Sequence, residues 1–408
     1  MNVNKLSKVM PVTIIGGGMV GLLLAALLAN AKIRVAIVEE KSPLLCWNKS
    51  SLDPRVSAIN AVSGRLLKKL GFWQDIRKSA YSPLIKLNVW DSIGGGEIIF
   101  DSVEVCASAL GAIVENREIT RVLWQKLKEN PLVEFICPEH PCSVSHSEEF
   151  IDLEFSSQKK VQTSLLVGAD GSHSWLRNQM NIDIQESSYE QSAVVSVVKT
   201  ENPHEQTGWE TFLPDAVLAL LPLANPHNCA IVWSVSPEKA TQLMAIDEKS
   251  FNTEISHTSN LRLGKIHRLT QPKVVPLIMR YAKKYLDSRM VLIGDAAHTI
   301  HPLAGQGVNL GFMDAACLAQ CIIDARYKKL DVGSVRVLRR YERWRKGDNL
   351  MMLAAMRFFK EFFGTQLSLI VQMRTMGLMM TNRLNFVKNC FIKIAMGEVF
   401  DLPDLIIR

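Results

Sequence analysis

The sequence predicts an α/β protein in which a parallel-sheet domain is interrupted by a mainly antiparallel domain and followed by a helical region. Two kinds of apolar pattern lead to this prediction. Short uninterrupted apolar runs, such as residues 12–15 and 290–293, are typical of strands buried on both faces. Between them, residues 81–110 and 190–277 alternate apolar and polar side chains, as strands covered on one face do. A chain of 408 residues is long enough for two or three domains.

The composition is that of an ordinary globular protein, with 48% apolar and 21% charged residues. The net charge of +7 suits an anionic cofactor or a lipid surface. We predict no nucleic-acid partner, because no stripe of basic residues is interleaved with aromatic ones. The eight cysteines are scattered and form no CxxC pair. We therefore predict no metal site and expect reduced, mostly buried thiols in a cytoplasmic protein.

The first predicted element is a βαβ unit, with a strand at residues 12–15, an apolar helix at 19–31 and a parallel strand at 34–38. The alternative is a secretory signal peptide, since Ala29-Asn30-Ala31 imitates a cleavage site. Three glycines, Gly16-Gly17-Gly18, interrupt the apolar run where a secretory helix would be continuous. This interruption favours the βαβ unit. No uninterrupted apolar run reaches the ~20 residues needed to span a bilayer.

A glycine motif with the spacing G-x-G-x-x-G joins the first strand to the helix. Gly16 permits the tight turn, Gly18 lets the backbone approach a pyrophosphate, and Gly21 lets the helix pack closely on the strand. The N–H groups and partial positive charge of the helix N-terminus favour phosphate binding. Glu39 ends the second strand where an acid binds ribose hydroxyls, with Glu40 as the competing candidate. The motif predicts a Rossmann-like dinucleotide site, and its acid argues against a 2′-phosphate there.

The later elements alternate between the two domain types. Residues 56–71 and 117–129 are predicted helices, and residues 308–325 and most of 333–400 are predicted helices as well. The predicted division is a discontinuous cofactor-binding domain at 1–80, 111–183 and 278–345, a substrate domain at 81–110 and 184–277, and a C-terminal helical region at 346–408.

A second candidate segment, residues 168–177, again follows an apolar strand. Asp170 is placed to bond the ribityl or phosphate region of a flavin, directly or through water. Asp-Gly is also a common turn pair, so this segment is convincing only together with the others.

The third candidate segment, residues 294–311, is the most specific. Asp295 ends a strand and is placed to accept a hydrogen bond from a ribityl hydroxyl. Gly305 and Gly307 then bring bare backbone to the start of a helix. The N-terminus of that helix would face the pyrimidine edge of the isoalloxazine and favour the anionic reduced flavin. The three segments together predict that the cofactor is FAD.

The three segments resemble the single-component (class A) aromatic flavoprotein monooxygenases, whose fold is typified by para-hydroxybenzoate hydroxylase. Residues 168–177 match the DG motif of that group, which is associated with both FAD and NAD(P)H, and Gly294-Asp295 matches its GD motif. A narrower resemblance, from about residue 10 to 397, is to the ubiquinone-biosynthesis hydroxylases (the UbiH/UbiF/VisC-like family). It rests on residues 301–311 with Asp314, on residues 53–59 and on residues 114–117.

This resemblance implies further cofactor contacts. It places Arg55 near the flavin, with a surface ion pair as the alternative. It places Asn116 or Arg117 along the ribityl chain without deciding between them. Val308 and Asn309, with Gly307 before them, would supply backbone N–H groups to a flavin carbonyl.

The implied catalytic positions border the flavin face where oxygen reacts: Pro302, Gly305 and Gln306. His298 and His301 are candidates for a base, because histidine titrates near neutral pH. Structural bonds to backbone carbonyls are equally expected beside a glycine loop, so the sequence names no base.

The resemblance implies an FAD-dependent monooxygenase that uses NAD(P)H and O₂ to hydroxylate a polyprenylated phenol or benzoquinol through a C4a-hydroperoxyflavin in ubiquinone biosynthesis. The chain looks nearest to the branch that hydroxylates 2-polyprenyl-3-methyl-6-methoxy-1,4-benzoquinol. This narrower resemblance rests on Glu115-Asn116 and Leu123-Trp124-Gln125. The alternatives are a flavin-dependent reductase or dehydrogenase of a lipid-like substrate, and a non-catalytic flavin-binding subunit of a quinone-biosynthesis assembly.

Residues 350–380 are rich in methionine and phenylalanine, with basic residues between them. Three interpretations stay open. The region contacts the inner face of the cytoplasmic membrane, where a polyprenyl tail would be buried. It forms an interface with another ubiquinone-biosynthesis enzyme or with a second copy. It is a helical cap packed on the cofactor domain.

Overall fold

The computed structural model describes residues 9–48, 51–78, 81–300, 305, 307–365, 367–399 and 401–407. The strands are, in chain order, β1 (Val12–Ile15), β2 (Val35–Val38), β3 (Val56–Asn60), β4 (Tyr81–Leu84), β5 (Lys86–Asp91), β6 (Glu97–Asp101), β7 (Gly111–Glu115), β8 (Val133–Ile136), β9 (Pro141–His146), β10 (Ile151–Phe155), β11 (Lys160–Thr163), β12 (Leu166–Gly168), β13 (Ile184–Thr200), β14 (Thr207–Leu213), β15 (Ala216–Pro222), β16 (Asn228–Val235), β17 (Ile266–Arg268), β18 (Lys273–Ala282), β19 (Leu286–Asp287), β20 (Met290–Leu292) and β21 (His298–Thr299). The α-helices are α1 (Met19–Asn30), α2 (Ala61–Lys69), α3 (Trp73–Arg77), α4 (Asn116–Lys128), α5 (Trp175–Gln179), α6 (Pro237–Ala245), α7 (Glu248–Thr258), α8 (Gly307–Tyr327), α9 (Val335–Gly364), α10 (Ser368–Arg383), α11 (Asn385–Ala395) and α12 (Asp404–Ile407).

The first layer of the molecule is a six-stranded sheet in the order β19-β20-β12-β1-β2-β8. Its five strands from β20 to β8 are parallel, and β19 pairs antiparallel at the edge. Every residue of β1, β2 and β20 is buried, because helices cover both faces of a parallel sheet. Helix α1 is buried over residues 21–29, so the apolar stretch near the N-terminus is a core helix of this domain. The α/β prediction is confirmed.

The second layer is a nine-stranded sheet with the path β21-β18-β13-β16-β15-β14-β5-β6, and β17 pairs with β13. Its pairs are antiparallel except for β14 with β5. Helices α6 and α7 pack on one face of this sheet and form a separate apolar core with it. The other face turns toward the parallel-sheet domain and the C-terminal helices. Smaller three-stranded sheets, β3-β7-β4 and β11-β10-β9, complete the structure.

The element predictions need two corrections. Residues 56–71 are not one helix: β3 occupies residues 56–60, and α2 begins after it because the Asn60 side chain accepts a hydrogen bond from the Ser63 backbone N–H at 2.9 Å. Strands alone were predicted over 190–277, but α6 and α7 lie in that segment, each started by a polar N-cap residue. Short amphipathic helices between strands give too few turns for their periodicity to stand out.

The expectation of mostly buried cysteines is wrong. All eight thiols are free, but only Cys229, Cys317 and Cys321 are buried, whereas four are exposed. The three buried cysteines lie on β16 and α8, where they act as small apolar side chains.

The C-terminal helices cross from one layer to the other. Helix α9 packs on α8 and reaches β14, and α10 and α11 pack on β6 and the turn after it. Arg374 on α10 and Asp91 on β5 form an ion pair at 2.7 Å, with both side chains fully buried. Among the described residues α8 is long and apolar enough to cross a membrane, but most of it is buried inside the protein, as in a core helix.

Candidate FAD and substrate site

The first glycine loop leaves no room for side chains at two positions. A Cβ at Gly16, where φ is +108°, would lie 2.3 Å from the Ala169 carbonyl oxygen, and a Cβ at Gly21 would lie 2.1 Å from the Gly16 carbonyl oxygen. At Gly18 a Cβ would meet nothing within 4 Å. Packing therefore requires glycine at positions 16 and 21, whereas Gly18 borders open space at the N-terminus of α1, where a phosphate would be bound.

Glu39 lies directly against this loop. Its carboxylate accepts hydrogen bonds from the Gly17 N–H at 2.7 Å and from the Lys41 N–H at 3.1 Å. Glu40, the competing candidate, is mostly exposed and lies 4.0 Å from His140. The structure therefore brings Glu39 to the glycine loop, and the free lone pairs of its oxygens are available to ribose hydroxyls.

Above this loop runs a cleft of about 440 Å³, here called the cofactor cleft. Its lining combines the glycine loop, the end of β2 and residues 168–177, here called the DG segment. It includes Gly16, Gly18, Glu39, Asp170 and Trp175. Bare backbone, a helix N-terminus and an acid at a strand end are the groups that hold a dinucleotide. The residues present therefore fit the adenosine and pyrophosphate part of FAD.

Asp170 shapes the DG segment from within. Its carboxylate accepts hydrogen bonds from Ser174 Oγ at 2.6 Å and from the Leu176 N–H at 3.1 Å. Burial raises the pKa of Asp170, and these bonds counteract the rise. The buried Arg177 donates to the carbonyls of Ala296 at 3.0 Å and Ser172 at 2.9 Å. These bonds join the DG segment to residues 294–311, here called the GD segment. The contact of Asp170 with the flavin stays a prediction.

The GD segment is anchored by a buried carboxylate that sequence reasoning left without a role. Asp314 on α8 accepts from the Gly294 N–H at 3.0 Å, and His298 Nε2 lies 2.5 Å from the same oxygen. Arg345 donates to its other oxygen at 2.8 Å. Although burial alone would raise the pKa of Asp314, His298 and Arg345 hold it well below its usual range. His298 is thus structural, bonded to a carboxylate rather than to a backbone carbonyl.

Asp295, by contrast, turns its side chain toward open space. Protein surrounds this space closely enough that desolvation raises the pKa of the Asp295 carboxyl. Such a position, open to a small molecule and yet enclosed by protein, fits the predicted bond to a ribityl hydroxyl.

The loop before α8 also contains a glycine in a tight turn, and side-chain hydrogen bonds hold it against β3. Gly305 has φ +60°, and a Cβ there would lie 2.8 Å from the Ala58 Cβ. The Asn309 side chain donates to the Ala58 carbonyl at 2.8 Å and accepts from the Asn60 N–H at 3.0 Å, which fixes the start of α8 on β3. Gly307, Val308 and Asn309 form the first turn of α8, where backbone N–H groups lack partners inside the helix. Their contact with a flavin carbonyl stays a prediction.

Two predicted catalytic positions, Pro302 and Gln306, lie outside the described residues, as does the candidate base His301.

The arginines predicted near the cofactor have other partners in the structure. The Arg55 side chain is 68% exposed and pairs with Asp53 at 3.4 Å, which is the surface-pair alternative. Arg117 donates to Glu115 at 2.6 Å and to Ser51. Asn116 accepts from the hydroxyl of Ser57 at 2.6 Å, and its amide N–H₂ group has no partner among the described residues. Of the two candidates for the ribityl chain, Asn116 is therefore the better placed.

Two adjoining cavities lie between the nine-stranded sheet and the C-terminal helices. The inner cavity, of about 140 Å³, is bounded by Gly305, by Ala58 and Asn60 of β3, and by β14, β15 and β16. The outer cavity, of about 350 Å³, is lined almost entirely by carbon atoms of α9, α10, α11, β5 and β6. Both cavities share four wall residues, which are Leu87, Leu110, Glu210 and Ala395. Sequence reasoning missed Glu210, whose signal is a single acid between Gly208 and Phe212 on one face of β14.

Comparison with known proteins agrees with this geometry. The family model described as "FAD binding domain" matches residues 9–346. The chain is 34% identical to 3-demethoxyubiquinol 3-hydroxylase of Escherichia coli (strain K12), over 95% of this chain and 98% of the relative. It is 31% identical to ubiquinone hydroxylase UbiL of Rhodospirillum rubrum, over 96% and 90%.

Among solved structures, the chain resembles p-nitrophenol 4-monooxygenase PnpA from Pseudomonas putida DLL-E4. The TM-score is 0.77 at 17% sequence identity, and the match covers 96% of this chain and 98% of that one. At this identity the likeness shows the fold.

Proposed function

Since the chain belongs to the FAD binding domain family and, within it, to the ubiquinone-biosynthesis hydroxylases, we propose that this FAD-dependent monooxygenase hydroxylates the ring of a polyprenylated benzoquinol. Its co-substrates would be NAD(P)H and O₂. The specific substrate proposed is 2-polyprenyl-3-methyl-6-methoxy-1,4-benzoquinol, in line with the name of the Escherichia coli relative, 3-demethoxyubiquinol 3-hydroxylase.

One observation carries this proposal: the inner cavity, next to the Gly305 loop, continues into an outer cavity that is almost wholly apolar. A quinol ring fits the volume of the inner cavity, and an isoprenoid tail suits the outer one. Each buried CH₂ group contributes about 0.8 kcal/mol to binding, so an apolar channel selects strongly for a long hydrocarbon tail. A small polar aromatic substrate would leave this surface without a partner.

The protein residues would bind, orient and exclude water. When bound, FAD supplies the transfer of two electrons from NAD(P)H to oxygen and the activation of oxygen for attack by the ring. The Gly305 loop and the N-terminus of α8 would hold the flavin edge and favour its anionic reduced form through the helix dipole. The apolar walls, among them Val217, Ala219 and Leu221, would keep water from the reacting oxygen.

Oxygen uptake by the purified holoprotein tests the proposal. NADPH and NADH are supplied in turn, with and without a short-chain demethoxyquinol, in ¹⁸O₂. We expect substrate-stimulated uptake and a product that gains one ¹⁸O atom. Reduction of bound FAD without stimulated uptake would overturn the hydroxylase proposal in favour of the reductase alternative.

A pair of variants on α9 tests the place of the tail. Met356 is buried and lines the outer cavity, whereas Met351, on the same helix, is 58% exposed. Met356→Trp should lower kcat/KM roughly ten-fold or more for a substrate with several isoprene units, because it occupies the channel, and should spare a tail-less analogue. Met351→Trp should change neither value. Equal loss for both substrates in Met356→Trp would place the tail elsewhere.

We also propose that α10 and α11 meet the membrane from which the substrate comes. Their outward faces expose apolar side chains beside the exposed Arg383 and Lys393, while their inward faces line the outer cavity. An exposed apolar face with basic neighbours is the pattern of helices that lie on anionic lipid.

A further inference from the structure

Glu210 is the only ionisable side chain among the described residues that line the inner cavity. It lies on β14, opposite Ala219 of β15 and Val89 of β5. The residue is 6% exposed, and it borders the outer cavity as well. The carboxyl group therefore lies where the two cavities meet, at the place where a ring ends and its tail begins.

No group in the described part of the chain donates a hydrogen bond to this carboxyl. The nearby ion pair does not compensate its charge, because Arg374 already donates to both Asp91 oxygens and to backbone carbonyls such as that of Phe363. Apart from this pair and Glu210 itself, the described residues that line the cavities are apolar or neutral, and the neutral polar ones are Asn60, Ser234 and Thr381. Burial raises the pKa of Glu210 to about 7.

A buried carboxyl without a partner costs several kcal/mol unless a ligand supplies the missing hydrogen bond. His298, the other candidate base within the described residues, is occupied by Asp314 on the far side of the GD segment. A hydroxyl on a ring held in the inner cavity is the donor that Glu210 lacks. A carboxyl that is partly ionised near neutral pH is also well suited to take a proton from that hydroxyl.

We propose that Glu210 is a catalytic residue that accepts a hydrogen bond from a ring hydroxyl of the substrate and takes its proton as the ring is hydroxylated. This proposal rests on the proposed function. Proton loss raises the electron density at ring carbons ortho and para to the hydroxyl. One such carbon forms a bond to an oxygen atom from O₂, and the ring oxygen becomes a carbonyl.

The same carbon then releases its hydrogen as a proton to solvent, and Glu210 returns its proton to the ring oxygen, which restores the aromatic ring. One atom of O₂ enters the product and the other leaves as water. NAD(P)H supplies the two electrons and, with one proton from solvent, completes the balance. Glu210 ends the cycle ionised, as it began.

Two variants of Glu210 and one neighbouring control test this role. Glu210→Gln keeps the size and polarity of the side chain but cannot take a proton, and Glu210→Leu removes the acceptor. Thr211→Val is the control, because Thr211 is next on the strand, fully buried, lines neither cavity, and its hydroxyl has no partner within the described ranges.

The first measurement is single-turnover hydroxylation of a short-chain demethoxyquinol by the FAD-loaded proteins. We expect Glu210→Gln to lower the rate ~100-fold or more, without changing the FAD absorbance or the rate of flavin reduction. The parental rate should rise with pH through a value near 7, and the variant should lose that rise. Thr211→Val should match the parent. A Glu210→Gln rate within three-fold of the parent, with the same pH profile, would overturn the role of Glu210 while leaving the proposed function intact.

The second measurement needs no turnover. Binding of a tail-bearing phenol and of its O-methyl ether is followed by the change in flavin fluorescence. The parent and Thr211→Val should bind the free phenol at least ~10-fold more tightly, because only the phenol donates to the carboxyl. Glu210→Leu should bind both alike. Absence of hydroxylation in the parent would refute the proposed function, and an equal preference in the parent and Glu210→Leu would separately refute the role of Glu210.

Discussion

The cofactor cleft and the two cavities are built by different means. The cleft is made of backbone: glycine turns, strand ends and helix N-termini, held in place by buried polar groups such as Asp314 and Arg177. The cavities are made mostly of side chains from strands and helices that lie between residues 56 and 395. At Gly16 and Gly21, beside the cleft, a single added methyl group would meet backbone atoms. In the cavities, many apolar side chains of similar size would serve.

This difference implies that the cleft, here called the cofactor half, and the two cavities, here called the cavity half, tolerate change differently. Backbone atoms of one loop cannot move away from those of another without shifting the whole element. Apolar side chains around a cavity can usually be exchanged at a cost below about 1.5 kcal/mol when volume is kept. The cofactor half should therefore be fixed across relatives, while the cavities change with the substrate. The fold shared with PnpA at 17% identity is compatible with this division.

The largest expected effect breaks the cofactor half at a backbone contact. In Gly21→Val the Cβ would lie 2.1 Å from the Gly16 carbonyl oxygen, so α1 must separate from β1. We expect purified Gly21→Val to carry no FAD, by the ratio of flavin to protein absorbance, and to melt well below the parent.

Gly18→Ala separates folding from cofactor binding in the same loop. Its Cβ would meet nothing within 4 Å in the protein, so the thermal stability without FAD should equal that of the parent. The affinity for FAD should nevertheless fall at least ~10-fold, because the methyl group would occupy the space of the pyrophosphate. Unchanged FAD affinity in Gly18→Ala would show that the pyrophosphate does not approach this residue.

The same division explains why the cofactor half is predictable from sequence and the cavity half is not. Glycines at fixed spacing after a buried strand have few explanations, so residues 16–21 and 294–311 are enough to indicate FAD. The short apolar strands likewise indicate a parallel sheet. The cavities could not be predicted, because β14 and α10 come together only through the fold. Arg374 and Asp91, 283 positions apart, carry no local signal of their pairing.

Hydrogen-bond partners were equally out of reach. The motif indicated that Asp295 and Asp314 matter, but only the structure separates the exposed Asp295 from Asp314, which is bonded to Gly294, His298 and Arg345. Arg55 also shows the limit, since its exposed pair with Asp53 depends on how the chain turns before β3.

Asp314 anchors the GD segment, and loss of its carboxylate should lower both stability and FAD affinity. Asp314→Ala leaves the buried Arg345 without its main partner and removes the acceptor for the Gly294 N–H. Breaking one side of a buried ion pair costs about 3–5 kcal/mol. We expect a lower melting temperature together with weakened FAD binding. Glu361→Gln, which breaks an exposed pair with Arg357 on α9, should leave the melting temperature nearly unchanged, because solvent screens such a pair. Equal effects of the two substitutions would contradict the anchoring role.

A smaller effect is expected at Glu210, the one carboxyl among the described residues that line the inner cavity. The pKa of Glu210 is raised from its usual value near 4.5 to about 7. Between these values the unfolded chain has lost the proton that the folded chain keeps, so Glu210 lowers stability as pH rises. Glu210→Gln should therefore be more stable than the parent above pH 7, by about 3 kcal/mol, and the gap should close as pH falls toward 4.5. Denaturant unfolding across this pH range measures the difference in unfolding free energy between variant and parent. For Thr211→Val this difference should be independent of pH.

The smallest effect lies on the outer surface of the cavity half. Leu369, Met376 and Met380 on α10 are exposed, and none of them lines the outer cavity. Replacing all three by glutamine should lower co-sedimentation with vesicles that contain anionic lipid several-fold, because it removes apolar surface that would insert at the lipid boundary. Activity on a tail-less substrate should not change, since the inner cavity is untouched. Replacement of the exposed Leu44, Leu261 and Tyr327 by glutamine is the matched control. If that control loses as much vesicle binding as the α10 variant, the membrane does not meet this helix, and the route of the tail into the outer cavity must begin elsewhere.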